Sequence, residues 1–155
     1  MSAVMRVPWE NRLAKLIRKP GGVRLNDAVR QAEENLKSVQ DSCLEALDGY
    51  LAEIERLHAE GGAKPSDAAK ASIYQLSNDI HGLAGVFGMG DLGHAAFSLC
   101  ELVDRLRAAD RWSAASVEVH LSALRLLRQI GGMDHGDILE GLHRVVARVP
   151  RPAEG

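Results

Sequence analysis

Residues 67–87 read DAAKASIYQLSNDIHGLAGVF, and the spacing of their apolar positions decides the fold class. These positions alternate in steps of four and three, which places them on one face of an α-helix, whereas a half-buried strand would show steps of two. Ser66 or Asp67 can cap the start of the helix, and Gly88 and Gly90 follow its end. The sequence therefore predicts a helix over about 67–87 with a core face of Ala69, Ile73, Leu76, Ile80, Leu83 and Phe87.

Segments with the same period lie on both sides of this helix, separated by glycine and proline residues. The preceding segment predicts a helix from Asn26 or Asp27 to about Glu60. Its apolar residues form one continuous stripe that we expect to be buried: Val29, Ala32, Leu36, Val39, Cys43, Leu47, Tyr50, Ile54 and Leu57. The following segments predict three more helices, whose starts lie at Asp91, at Ser113 or Ser116, and at Asp134 or Asp137.

Short connections between consecutive helices favour antiparallel packing. We therefore expect an all-α chain with an antiparallel four-helix bundle over residues 25–132 and short additional helices at both ends. The N-terminal addition is a basic amphipathic segment within residues 1–24, with a short helix over 8–19, and the C-terminal addition is a short helix and tail within 133–155. Because each apolar stripe is wide enough for one bundle interior only, we expect a monomer.

The composition restricts the classes of function. The chain has 155 residues, of which 46% are hydrophobic, and its formal net charge of −2 provides no general attraction for nucleic acid. Cys43 and Cys100 lie outside any CxxC motif, so we expect no metal and no cofactor. No apolar run approaches the roughly 20 residues that cross a bilayer, and the N-terminus lacks the apolar core of a secretion signal. These features favour a cytoplasmic protein without membrane contact.

One of the six histidines, His81, has an unusual neighbourhood. At 100° per residue, His81 points roughly 120° away from a stripe centred near Ile80, toward solvent. A glycine inside a helix costs about 1 kcal/mol relative to alanine, and this helix carries Gly82 and Gly85. An exposed imidazole beside a surface cleared of side chains suits phosphoryl transfer to a docked protein. The residues expected to form that docking surface are Ser77, Asn78, Ala84, Gly85 and Gly88.

The same stretch resembles a known family. The run His81-Gly82-Leu83-Ala84-Gly85, followed by Phe87-Gly88 and Leu92, is similar to the signature of histidine phosphotransfer (Hpt) domains, and Leu99-Cys100-Glu101-Leu102 is loosely similar to a further region of that family. The likeness covers roughly residues 75–106. It implies a four-helix bundle whose His81 accepts a phosphoryl group from the aspartate of one receiver domain and passes it to another. It also implies two kinds of partner, response-regulator receiver domains and a hybrid histidine kinase.

Two departures accompany the likeness. The family's lysine three residues after the histidine is Ala84 here, and the stretch between Gly85 and Phe87 is about three residues shorter than usual. No GxxxxGK[ST] loop is present, so we expect a phosphocarrier and not an enzyme with its own nucleotide site.

Three alternatives stay open at this point. The first is an Hpt-like adaptor that binds a receiver domain without being phosphorylated. The second is a structural bundle in which the glycines merely end a helix and His81 is an ordinary surface residue. The third is the dimerisation domain of a histidine kinase. This alternative is weaker, because the core helices are not followed by an ATPase domain.

Overall fold

The computed structural model describes residues 24–131 and 135–150. These residues form α-helices and no strand, with bounds of Leu25–Gly61 (α1), Asp67–Val86 (α2), Gly90–Ala108 (α3), Ala114–Ile130 (α4) and Gly136–Ala147 (α5). The prediction of an all-helical chain is confirmed for this part of it. The helix expected over 8–19 and the tail at 151–155 lie outside the described residues.

The chain divides into two compact units, Met1–Val39 and Gln40–Gly155. The division falls within α1, and the domain limits expected at residues 24 and 132 stay predictions. In the second unit, all five helices contribute to one buried core. Its fully buried large side chains include Leu47, Ile54, Ile73, Ile80, Leu99, Leu102, Val103, Val117, Leu121 and Leu124.

Two helix starts are fixed by serine caps, as expected. The Ser66 hydroxyl accepts a hydrogen bond from the backbone N–H of Ala69 at 3.1 Å, and the Ser113 hydroxyl accepts one from the N–H of Ser116 at 3.3 Å. Each bond satisfies a donor that the first turn of a helix leaves unpaired. The sequence signal for α2 and α4 was therefore correct to within about a residue.

The last helix is held at both ends by side chains from α3. The Asp91 carboxylate accepts a hydrogen bond from the backbone N–H of His135, which precedes α5, at 2.8 Å. The Arg105 guanidinium donates to the carbonyls of Val146 and Val149, both at 3.2 Å. Because a helix end leaves carbonyls without partners, Arg105 closes α5 where no glycine cap is present. The expected start at Asp137 lies one residue inside the helix, and the alternative start, Asp134, lies outside the described residues.

The expected stripe of α1 is wrong in its first part. Val29, Leu36 and Val39 are exposed, with Leu36 at 73%, and burial on this helix begins only around Leu47. Helical periodicity identifies an apolar face but contains no information on which surface covers it. The prediction that these residues share one face of the helix is therefore correct, and the prediction that the first part of this face is buried is wrong.

Charged pairs join the second half of α1 to α4. Arg128 forms two hydrogen bonds with the Asp48 carboxylate, at 2.8 and 3.0 Å, and Arg125 pairs with Glu55. Such partly exposed pairs contribute about 0–1 kcal/mol each and serve mainly to set orientation. No helix among the described residues has the length and apolar character needed to cross a membrane.

Candidate functional site

The end of α2 and the start of α3 form a tight connection that brings the two helices together. Gly88 has a φ of +70°, and the backbone N–H of Met89 donates to the carbonyl of Ala84 at 2.9 Å. This is the Schellman arrangement, in which a glycine in the left-handed region reverses the chain and satisfies a terminal carbonyl. The connection thus needs only residues 87–89, and α3 returns directly against α2.

His81 lies on α2 beside the first turns of α3. Its Nδ1 atom is 2.9 Å from the carbonyl oxygen of Gly93. Because a carbonyl can only accept, Nδ1 carries the hydrogen and donates, which leaves the lone pair of the neutral ring on Nε2. Nε2 has no hydrogen-bond partner among the described residues, and it is not one of their buried unpaired atoms. Nε2 is therefore accessible to solvent.

The imidazole ring is held by two further features of α3. The ring of Phe97 lies 5.4 Å from it, centroid to centroid, at an angle of 46°, and Phe97 remains 55% exposed. At Gly93, an added Cβ atom would lie 3.5 Å from the Cβ of Ala84 and 3.6 Å from Nδ1 of His81. Both distances are ordinary van der Waals contacts, so the space beside His81 would also admit an alanine at position 93.

The structure corrects the expected orientation of this face. His81 is half-buried, and the side chains of Ser77 and Ala84, expected on the docking surface, are fully buried at 0% exposure. The buried positions of α2 are Ile73, Ser77, Ile80 and Ala84, and their centre lies about 70° from His81, not 120°. The small residues Ser77 and Ala84 allow close packing against α3, so the core face is turned toward them. A pattern built on large apolar residues misses this.

Ser77 has a structural explanation. Its hydroxyl donates to the carbonyl of Ile73 at 2.7 Å, one turn earlier in the same helix. A buried hydroxyl that is satisfied in this way costs little. Ser77 and Ala84 therefore cannot contact a docked protein in this conformation.

The other expected docking residues do lie at the surface. Asn78, Gly85 and Gly88 are exposed, and at Gly82, Gly85 and Gly88 an added Cβ would meet no atom within 4 Å. Of these three glycines only Gly88 has a positive φ. The backbone thus requires glycine at position 88, whereas nothing in the fold requires it at 82 or 85.

Two aromatic residues of this surface were not identified from the sequence. Phe97 lies outside the buried positions of α3, and its exposed ring lies next to His81. The available signal in the sequence was an aromatic residue off the apolar face of a helix. Tyr74, which is 37% exposed, precedes Asn78 by four residues and His81 by seven, so the three lie along one side of α2. We use the name His81 face for the surface formed by Tyr74, Asn78, His81 and Gly85 of α2 and Phe97 of α3.

The remaining histidines have other roles or none in the described structure. His120 is fully buried in α4, where its Nδ1 donates to the carbonyl of Ser116 at 2.9 Å and its Nε2 accepts from the Ser98 hydroxyl at 3.0 Å. Burial lowers the pKa of His120, which keeps the ring neutral. His58 and His135 contact the carboxylates of Glu118 and Asp91, while His94 and His143 are exposed.

The chemistry available at the His81 face is that of one oriented imidazole. Ala84 provides no positive charge there, and its buried side chain leaves no room for a lysine without moving α3. Within the described ranges, no group of three or more His, Cys, Asp or Glu residues is placed to hold a metal ion.

Comparison with known proteins adds no assignment: no family model, no curated protein and no solved structure matches this chain.

Proposed function

We propose that this chain is a histidine phosphotransfer protein that relays a phosphoryl group between receiver-domain aspartates, with His81 as the phospho-acceptor. The observation that supports it best is the hydrogen bond from Nδ1 of His81 to the carbonyl of Gly93. This bond fixes the tautomer whose free nitrogen, Nε2, can act as a nucleophile. The proposal includes an antiparallel bundle formed by α1 to α4 and a cytoplasmic location.

The transfer step follows from that tautomer. Nε2 attacks the phosphorus of an aspartyl phosphate on the receiver, the N–P bond forms, the O–P bond breaks, and the aspartate leaves as a carboxylate. The imidazole becomes cationic and retains its Nδ1 hydrogen, so no proton has to move. The Gly93 carbonyl accepts a hydrogen bond from that cationic ring, and such charge-assisted bonds are roughly twice as strong as neutral ones. The reverse reaction passes the group to a second receiver.

The His81 face supports docking of a receiver domain. Its exposed glycine leaves room for a partner atom to approach Nε2 in line, and Phe97 and Tyr74 offer apolar contact area beside the nucleophile. Asn78 and Gly88 complete the exposed part of the expected docking surface. A hybrid histidine kinase would supply the phosphoryl group through its own receiver, and a magnesium ion, where one is needed, belongs to the receiver's acidic pocket.

One observation favours a second candidate, a receiver-binding adaptor that is not phosphorylated. The buried Ala84 replaces the family's lysine, so no cation from this position neutralises a bound phosphoryl group. In the adaptor, the same face docks and no transfer follows.

The test is incubation of the chain with a panel of phosphorylated receiver domains. The carrier acquires label that is acid-labile and alkali-stable, as expected of phosphohistidine. His81→Gln should lose this label and still bind the receiver, because glutamine has no nucleophilic ring nitrogen but its side-chain amide can still donate to the Gly93 carbonyl. His94→Gln, at an exposed histidine near the start of α3, is the control and should be labelled normally.

The outcomes separate the candidates. Binding without label supports the adaptor. Label that persists in His81→Gln places the acceptor elsewhere and overturns the central assignment.

A further inference from the structure

The first part of α1 presents an apolar stripe that no residue of the described ranges covers. Leu25 is 78% exposed, and Val29, Leu36 and Val39 are exposed at 48% to 73%. With Ala32, these residues are separated by steps of four, three, four and three, so they continue along one side of the helix for about 21 Å. We call this set the α1 seam. It lies entirely within the first unit of the chain.

The opposite side of the same helix carries charged, solvent-exposed side chains. Arg30 pairs with Asp27 at 3.4 Å and with Glu34 at 4.0 Å, and all three side chains are more than half exposed. These charges lie about 180° from the α1 seam at 100° per residue. A helix with a charged outer side and a narrow seam in the 4–3 spacing has the pattern of one strand of a two-stranded coiled coil.

We propose that the α1 seam pairs with the α1 seam of a second copy of this chain, giving a parallel coiled-coil dimer. The seam is aliphatic throughout, so it is complementary to itself in a symmetric interface. In a parallel pair, the one charged flanking residue between positions 25 and 39, Glu33, faces Ala28 of the second copy, and no like charges meet. The monomer expected from the sequence assumed that every stripe is covered, and the exposed seam removes that assumption.

The size of the seam sets the strength of the dimer. Stable interfaces bury roughly 1,200 Å² or more in total, and the α1 seam spans only about two heptads, so the interface is small. The helix continues into the core of the second unit through Leu47 and Ile54, so part of its ordering cost is met before association. We therefore expect a reversible dimer in the micromolar range and not a permanent one.

The experiment is sedimentation of the full chain over a concentration series spanning that range. The weight-average mass should rise from 16.8 kDa toward twice that value. Leu36→Glu should weaken dimerisation by at least about 30-fold, because it places a charge at the centre of the interface. Leu126→Glu is the matched control: Leu126 is also exposed, at 45%, but lies on α4, and its variant should dimerise like the parent.

Cross-linking gives a second readout that does not depend on affinity. In a Cys43→Ser background, Ala32→Cys should form an intermolecular disulfide under mild oxidation, whereas Gln31→Cys, one residue off the seam, should not. Burial raises the pKa of Cys100 to about 11, so this thiol does not compete.

The results decide the proposal either way. A full chain that stays monomeric at every concentration overturns it. A chain that dimerises only after removal of residues 1–23 also overturns it and assigns the seam to the chain's own N-terminal segment. Equal weakening by Leu36→Glu and Leu126→Glu places the contact away from the α1 seam. None of these outcomes bears on phosphorylation of His81, so the two proposals fail separately.

Discussion

Replacing Gly85 by leucine separates the structural role of this glycine from its proposed role in docking. Gly85 lies in the last two turns of α2, it is exposed, and an added Cβ meets no atom within 4 Å. Leucine is a better helix former than glycine by roughly 0.5–1 kcal/mol. For a chain of this length, about 1 kcal/mol corresponds to about 2–4 °C in Tm. We therefore expect Gly85→Leu to raise Tm by about 1–4 °C.

The same substitution should abolish transfer from a receiver domain. Residue 85 lies one turn beyond His81 on the same side of the helix, so its leucine side chain occupies the space through which the partner approaches. A displacement of 1 Å between reacting groups can cost about 100-fold in rate, and we expect a loss of at least that size. A small donor such as phosphoramidate needs no docking surface and should still phosphorylate His81.

The matched control is Gly49→Leu. Gly49 is another exposed glycine in the interior of a helix, α1, with open space around its Cα. Both variants should show the same gain in thermal unfolding by circular dichroism, and only Gly85→Leu should lose transfer in a radiolabel assay. Transfer at the parent rate in Gly85→Leu would refute the docking argument. A fall in Tm would refute the claim that the space beside Gly85 is open.

Two further predictions concern stability. Burial lowers the pKa of His120, so the folded chain binds that proton less tightly than the unfolded chain; the free energy of unfolding should therefore decrease as the pH falls below about 6.5. Urea unfolding between pH 5 and 8 tests this, and a slope that is unchanged in His120→Asn would contradict it. Gly88 has a φ of +70°, so Gly88→Ala should lower the free energy of unfolding by about 1–2 kcal/mol. Gly85→Ala should change it in the opposite direction. Equal shifts in Tm for the two variants would show that position 88 needs no glycine.

The sequence was sufficient where large apolar residues and caps determine the structure. The large apolar positions expected of α2, Ile73 and Ile80, are fully buried, and the caps at Ser66 and Ser113 are formed. In these segments the helix propensity, the spacing of apolar residues and the packing of the core all favour the same structure. Under that condition a structure can be predicted from local sequence.

The sequence was insufficient where small residues determine the packing. Ser77 and Ala84 have little apolar surface, yet both are fully buried, with Ala84 lying beside Gly93 of α3. Because these two residues face the core, His81 is partly buried as well. A helical wheel does not predict this, because it gives no information on the distance between helices. The hydrogen bond to the Gly93 carbonyl was likewise beyond sequence reasoning, since it joins a side chain to a backbone atom twelve residues away.

The α1 seam illustrates a different limit. The helical period predicted for this stripe is correct. A sequence alone does not indicate whether an apolar stripe faces the protein's own core or another molecule. The exposure of Leu25 and Leu36 in the folded chain shows that this part of the stripe does not face the core.

The three-residue connection after α2 has a consequence for how the site forms. His81, Gly93 and Phe97 all belong to the helical hairpin made by α2 and α3, and the contacts among them join positions close along the chain. Hairpins closed by such short loops lose little chain entropy, and local contacts of this kind form early in folding. We therefore expect the imidazole to acquire its orientation when this hairpin forms. We expect amide protons of α2 and α3 near the connection to gain protection in pulsed hydrogen exchange before α5 is secured by Arg105.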